Sequence, residues 1–123
     1  MSDINELVGR YLTAWNATDP SARAALVAEV FTEEAEYTDP LVSVRGHAGL
    51  AATIAAVQGQ FAGLEFSPGA TTVDAHHNIV RFTWNLGRPG AEPLVIGFDV
   101  AVIAEDGRIS QVLGFLDQVP AGA

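Results

Sequence analysis

Two carboxylates stand in company that surface carboxylates rarely keep. Asp99 interrupts residues 94–104, a stretch in which every other side chain is uncharged. Asp39 follows Glu36-Tyr37-Thr38 and precedes Pro40. An ionised carboxylate in the middle of an apolar strand costs several kcal/mol unless it is paired. None of the arginines is adjacent to Asp99 in the sequence, so burial there pushes the carboxyl towards its neutral form, which can donate a hydrogen bond. Gly97, two residues back on the same strand face, removes a side chain and leaves space for a ligand beside it. The plainer alternative is a strand end or bulge where Asp99 meets water or backbone. Asp39 also has two readings, as a pocket base or as the cap of an ordinary Asp-Pro turn. Tyr11 sits where a helix places any core aromatic, and its hydroxyl needs a partner if buried.

Other chemistries have no footing. The chain has no cysteine, no Gly-x-Ser-x-Gly and no phosphate-binding glycine loop. His76 and His77 are neighbours on a strand, so they point to opposite faces and cannot share a metal. His47 falls at a helix start, in solvent. No metal and no organic cofactor is expected.

The elements that must position these residues follow from periodicity. Asp3 can cap a first helix with Ile4, Leu7, Val8, Tyr11, Leu12 and Trp15 on one face, ending near residues 16–18. Asp19-Pro20 reads as the cap and first position of a second helix, closed by Phe31. Residues 35–39 read as a short strand stopped by Pro40, with 41–45 as its hairpin partner. Gly46 opens a third helix carrying Leu50, Ile54, Val57 and Phe61, and Gly63 stops it. Period two then takes over. One strand with an irregular start is expected across 65–77, a second over Val80, Phe82, Trp84 and Leu86, and a third over 94–104. Asp106-Gly107 turns the chain into a last strand, 109–117, before a loose tail at 120–123. Helices followed by a meander predict an α+β fold, three N-terminal helices on one face of a strongly curved, mostly antiparallel sheet. A strand apolar on both faces needs two covers, and a second copy of the chain is the simplest source of the other, which predicts a homodimer.

The chain has 123 residues, 49% hydrophobic, with 6 basic residues, all arginine, against 15 acidic ones, for a formal charge of −9. That length predicts one domain over 1–123. The charge repels nucleic acid and anionic membrane surfaces. No apolar run reaches the length of a membrane span, and the acidic start lacks the plan of a signal peptide, so a cytoplasmic location is expected.

Three segments carry a resemblance. Residues 10–17 (Arg-Tyr-Leu-Thr-Ala-Trp-Asn-Ala), Glu36-Tyr37-Thr38-Asp39-Pro40 and Phe98-Asp99-Val100 resemble the nuclear transport factor 2-like superfamily, in its ketosteroid isomerase and SnoaL-like branch. The likeness runs from about Leu7 to Asp117. It implies a cone-shaped, cystatin-like α+β barrel around a pocket. Tyr11 falls on the oxyanion-hole tyrosine, Asp39 on the catalytic base and Asp99 on a protonated oxyanion donor. The implied walls are Trp15, Ile54, Phe82, Trp84, Gly97, Val112 and Leu116, around a small apolar ketone-type ligand. The implied reaction is Δ-isomerase-like transposition of a double bond in a steroid or polyketide-like ketone. A SnoaL-like cyclase or dehydratase and a non-catalytic binding module stand as alternatives. An epoxide hydrolase fits less well, because Gly97 stands where its Arg-x-Asp pair would need arginine. The chain also lacks the additional tyrosines that support the oxyanion tyrosine in such isomerases, with Ile54 where helix three would carry one.

Overall fold

A computed structural model describes residues 2–120; the end of the expected tail, 121–123, lies outside the described residues. The first helix, α1 (Ser2–Asn16), already includes Asp3, which therefore does not precede it. Helix α2 (Pro20–Val30) starts as its sequence dictates: the Asp19 side chain accepts from the Ala22 N–H, with proline in the first turn. Phe31 caps it and at once begins β1 (Phe31–Thr38), a strand four residues longer at its start than expected. In the added part Phe31 is buried while Glu33 and Glu34 are exposed, so regular alternation is broken before the buried Ala35. Strand β2 (Ser43–Arg45) pairs antiparallel with β1, and Gly46, at φ 86°, opens α3 (Gly46–Gln60). Phe61 is the helical cap and Gly63, at φ 84°, lies just beyond it.

The region expected as one irregular strand is two. Strands β3 (Glu65–Pro68) and β4 (Asp74–His76) both pair antiparallel with β5 (Ile79–Gly87), at opposite ends of it. Between them Gly69 crosses Thr83 so closely that a Cβ would lie 2.1 Å from the Thr83 hydroxyl, and its N–H donates to the Thr83 carbonyl. Strands β6 (Val95–Ile103) and β7 (Ile109–Gln118) complete the antiparallel meander.

The strand order is β2-β1-β7-β6-β5-β3. The β1–β7 pairing is parallel, so the sheet is mixed, a feature no local pattern announces. It curls around the three helices without closing, and the architecture is α+β, as its sequence predicts. Helices and sheet enclose one hydrophobic cluster that includes Tyr11, Trp15, Phe31, Leu50, Ile54, Phe82 and Val112. Strand β6 buries Val95, Gly97, Asp99 and Ala101 on this inner side; Ile96, Phe98, Val100 and Val102 on the outer side are half-buried. Among the described residues no helix is long and apolar enough to cross a membrane.

Candidate active site

Between the helices and the sheet lies a cavity of about 350 Å³. Its wall is overwhelmingly apolar, built by Leu12, Trp15, Phe61, Phe66, Trp84, Leu86, Val95 and Leu116. Tyr11 and Asp39 place polar groups on it, and Gln60 lies at its edge. The exposed Leu41 and Val119 also line it, 75% and 51% accessible, and so mark its open side. Few polar groups in an apolar enclosure orient a ligand while the rest of the wall excludes water.

Asp39 stands where β1 ends, because proline follows it and cannot continue the ladder. Its Oδ1 accepts from the backbone N–H groups of Leu41 and Val42, at 2.8 and 3.0 Å. Its Oδ2 accepts from the Tyr37 hydroxyl at 2.8 Å. The turn cap and the pocket carboxylate are thus one residue using two oxygens. Backbone N–H groups can only donate, so a proton arriving at Asp39 is directed to Oδ2. Tyr37 is the residue that reading the sequence left without a role. Its place two residues before Asp39, on the same strand face, was the available signal. Burial, with Asp99 and Asp39 nearby, raises the Tyr37 hydroxyl far above the ordinary phenol value, so it stays protonated.

Asp99 occupies the inner row of the sheet between Phe82 on β5 and Gly114 on β7. It is 1% exposed, and its Oδ2 accepts the Tyr11 hydroxyl of α1 at 2.7 Å. Burial pushes its carboxyl up to about 6, against the pull of the Tyr11 and Trp84 donors and helped by the charge of Asp39. Burial, with Asp99 and Tyr37 nearby, holds Tyr11 well above the usual phenol range. Asp99 is not itself among the residues lining the cavity; it stands behind Tyr11, which is.

Two glycines shape this floor. A Cβ on Gly114 would lie 2.8 Å from Asp99 Oδ1 and 3.4 Å from the Asp39 Cβ, so glycine lets the two carboxylates flank one point. A Cβ on Gly97 would lie 2.0 Å from Cζ2 of the Trp84 ring. The space Gly97 leaves is therefore filled by the Trp84 indole, which lies across it from the neighbouring strand, and not by open cavity.

Of the expected wall residues, Trp15, Trp84 and Leu116 line the cavity. Ile54, Phe82 and Val112 are packed in the core beneath it and do not reach it. The structure brings Tyr11, Asp39 and Asp99 together through Gly114 and the two tyrosine hydroxyls. His47 is not in solvent: its ring is half-buried and its Nε2 bonds the Phe31 carbonyl at 2.9 Å. His76 and His77 are exposed, and no group of three metal-ligating side chains exists among the described residues.

Residues 8–112 match the SnoaL-like domain family, and the chain belongs to it. It is similar to the crystal structure of a candidate isomerase of the SnoaL-like family from Agrobacterium tumefaciens, with 38% identity and a TM-score of 0.88 over 95% of this chain and 99% of that one. A candidate SnoaL-like polyketide cyclase from Jannaschia shares the fold at 20% identity and a TM-score of 0.74, over 94% and 86% of the two chains. So does a protein with a ketosteroid isomerase-like fold from Catenulispora acidiphila, solved with trimethylamine, at 17% identity and a TM-score of 0.70 over 89% and 83%. No curated protein matches this chain.

Proposed function

We propose that this member of the SnoaL-like family moves a proton at a carbon next to a carbonyl, without a cofactor, on a small apolar ketone. The observation that supports it is the pairing of an oriented carboxylate, Asp39, with a buried hydroxyl, Tyr11, on one apolar cavity wall. Asp39 Oδ2 takes the proton and later returns it further along the conjugated system. The Tyr11 hydroxyl donates to the oxygen on which enolate charge develops, in a site where water is largely excluded. Asp99 supports Tyr11 from behind. When Asp99 carries a proton, the 2.7 Å bond reverses, Asp99 donates to the Tyr11 oxygen, and the Tyr11 hydrogen is free for the ligand.

The 38% identical relative bears an isomerase description, which agrees with double-bond transposition. A polyketide cyclase would use the same carboxylate to open the enolate for carbon–carbon closure, and product analysis on a polyketide-like ketone separates the two. Turnover of a β,γ-unsaturated ketone is expected to fall about 10²- to 10⁴-fold in Asp39→Asn and about 10²-fold or more in Tyr11→Phe. Full activity in the Asp39 variant would overturn the reading. Binding of the ketone with no conversion by the unaltered protein would leave a binding module instead.

The outer sheet face supports a homodimer. Phe98 and Phe115 lie 6.3 Å apart there, beside Val100 and Leu113, and Phe115 is 57% exposed. Sedimentation is expected to show a dimer that Phe115→Asp dissociates.

A further inference from the structure

Among the described residues, the Trp15 indole Nε1 is the one buried side-chain nitrogen or oxygen with no hydrogen-bond partner. Leaving such a donor unmade costs about 1–3 kcal/mol, so its persistence needs a reason. Relaxation of the ring is blocked on several sides. Tyr37 and Phe66 each pack against it in tilted contact, with centroids 5.4 Å away. The Trp15 carbonyl accepts from Gln58 of α3 at 2.7 Å. The next residue, Asn16, clasps the backbone of Phe66 on β3 with two bonds, at 2.8 and 2.9 Å. The end of α1 is thereby tied to both the third helix and the sheet.

The Tyr11 ring lies 6.3 Å from the Trp15 ring, one helical turn earlier on the same face of α1. Tyr11 donates its single hydrogen to Asp99, which leaves its oxygen lone pairs to accept. Of the groups acting on the Tyr11 hydroxyl, burial, Asp99 and Tyr37 all oppose negative charge on its oxygen, and the Trp15 N–H alone favours it. The indole N–H thus acts on that oxygen without making a hydrogen bond of full geometry to it at rest.

We infer that Trp15 is a positioning residue, a preplaced N–H that closes onto the Tyr11 oxygen when Tyr11 donates to a negatively charged ligand oxygen. As Tyr11 gives its hydrogen to such an oxygen, electron density rises on its own, and the waiting donor becomes a full hydrogen bond. The resting state, with the indole N–H unpartnered, and the charged bound state then differ in this hydrogen bond, a differential stabilisation that favours an enolate over its parent ketone. This rests on the Tyr11 role proposed above, but its test does not need turnover.

The chain has two tryptophans, so its ¹H–¹⁵N spectrum carries two indole signals, and Trp84→Phe assigns them. The probes are 2-naphthol and ring-substituted naphthols of increasing acidity, which present a phenolic oxygen that accumulates charge. On binding, the Trp15 indole proton is expected to move downfield, further for the more acidic naphthols, and this movement is expected to vanish in Tyr11→Phe. Trp15→Phe is expected to weaken 2-naphthol about 3- to 10-fold, the range of one ordinary hydrogen bond. An indole signal that stays still while Leu12 and Leu116 methyl signals shift overturns the inference. So does full movement in Tyr11→Phe, which would mean direct contact with the ligand, and so does failure of every naphthol to bind at millimolar concentration. Asp39→Asn separates the two proposals: lost turnover with an unresponsive indole keeps the proton-transfer reading and removes this one, whereas a responsive indole in a protein that converts no ketone does the reverse.

Discussion

The protein contains two tyrosine–aspartate pairs of nearly equal length, and they are built for different work. Tyr37 meets Asp39 at 2.8 Å and Tyr11 meets Asp99 at 2.7 Å. Asp39 ends a strand, is half-buried, and also collects two backbone N–H groups. Asp99 lies mid-sheet, is 1% exposed, and collects no backbone donor from its own ladder neighbours, Phe82 and Gly114, whose amides face along the sheet. The same partner therefore produces an oriented acceptor in one place and, at the other, a carboxyl lifted to about 6 by burial. A hydrogen bond does not by itself set the role of a carboxylate; the solvent it has lost does.

The sharpest way to break this contrast is to neutralise each aspartate in turn. Asp39→Asn keeps an oxygen for the Leu41 and Val42 amides, so the fold is expected to survive while turnover of a β,γ-unsaturated ketone drops by about 10²- to 10⁴-fold. A loss of activity that tracks a loss of thermal stability would count against the contrast.

Asp99→Asn is expected to act mainly on stability, and in a pH window. Between the ordinary carboxylate value of 3.8 and about 6, the folded chain holds the Asp99 proton while the unfolded chain has lost it. Unfolding then releases a proton, so stability falls as pH rises through that window, by up to roughly 3 kcal/mol. Urea unfolding at pH 4 and pH 8 is expected to show this loss in the unaltered protein and little of it in Asp99→Asn. Equal pH dependence in both proteins would mean that another group is responsible.

Gly114→Ala tests whether the two pairs share one floor. Its Cβ would meet Asp99 Oδ1 at 2.8 Å, and the overpacking is expected to cost about 1–3 kcal/mol. Because the Asp39 Cβ lies 3.4 Å away on the other side, ketone turnover is expected to fall as well. Gly59→Ala, in a helical position with nothing within 4 Å of the new Cβ, is the control and is expected to lower neither. The smallest effect is expected from Tyr37→Phe. Removing one of three donors to Asp39 is expected to lower stability by about 1–2 kcal/mol and to slow turnover more than it weakens binding, which separate kcat and KM values report.

Much of this was legible in the residues. Helix α2 could be placed from Asp19-Pro20, and the structure caps it there. The inner row of β5 followed from alternation, and Asp99 declared itself by being the only charge in an apolar strand. Gly97 showed that something needed room beside Asp99, but spacing within one strand could not say whether ligand or protein would take it. The Trp84 indole, on the adjacent strand, does. Ile54, Phe82 and Val112 were expected on the cavity wall from the family resemblance, and inward-facing apolar character agreed with it. Facing inward separates core from surface and not core from cavity, and all three lie below the wall.

By itself the sequence determined the local elements, through periodicity, caps and turns whose causes lie within a few residues of their effects. It also marked Asp99 as a residue out of place, because burial of a polar group is costly wherever it occurs, and the family resemblance set Tyr11 and Asp39 beside it. The tertiary structure decided which of them meet. The parallel β1–β7 pairing carries Asp39 to Gly114, the β6–β7 register carries Asp99 to the other side of it, and α1 lowers Tyr11 and Trp15 onto both. Those approaches span separations of up to 88 residues, over which neither period nor propensity holds information.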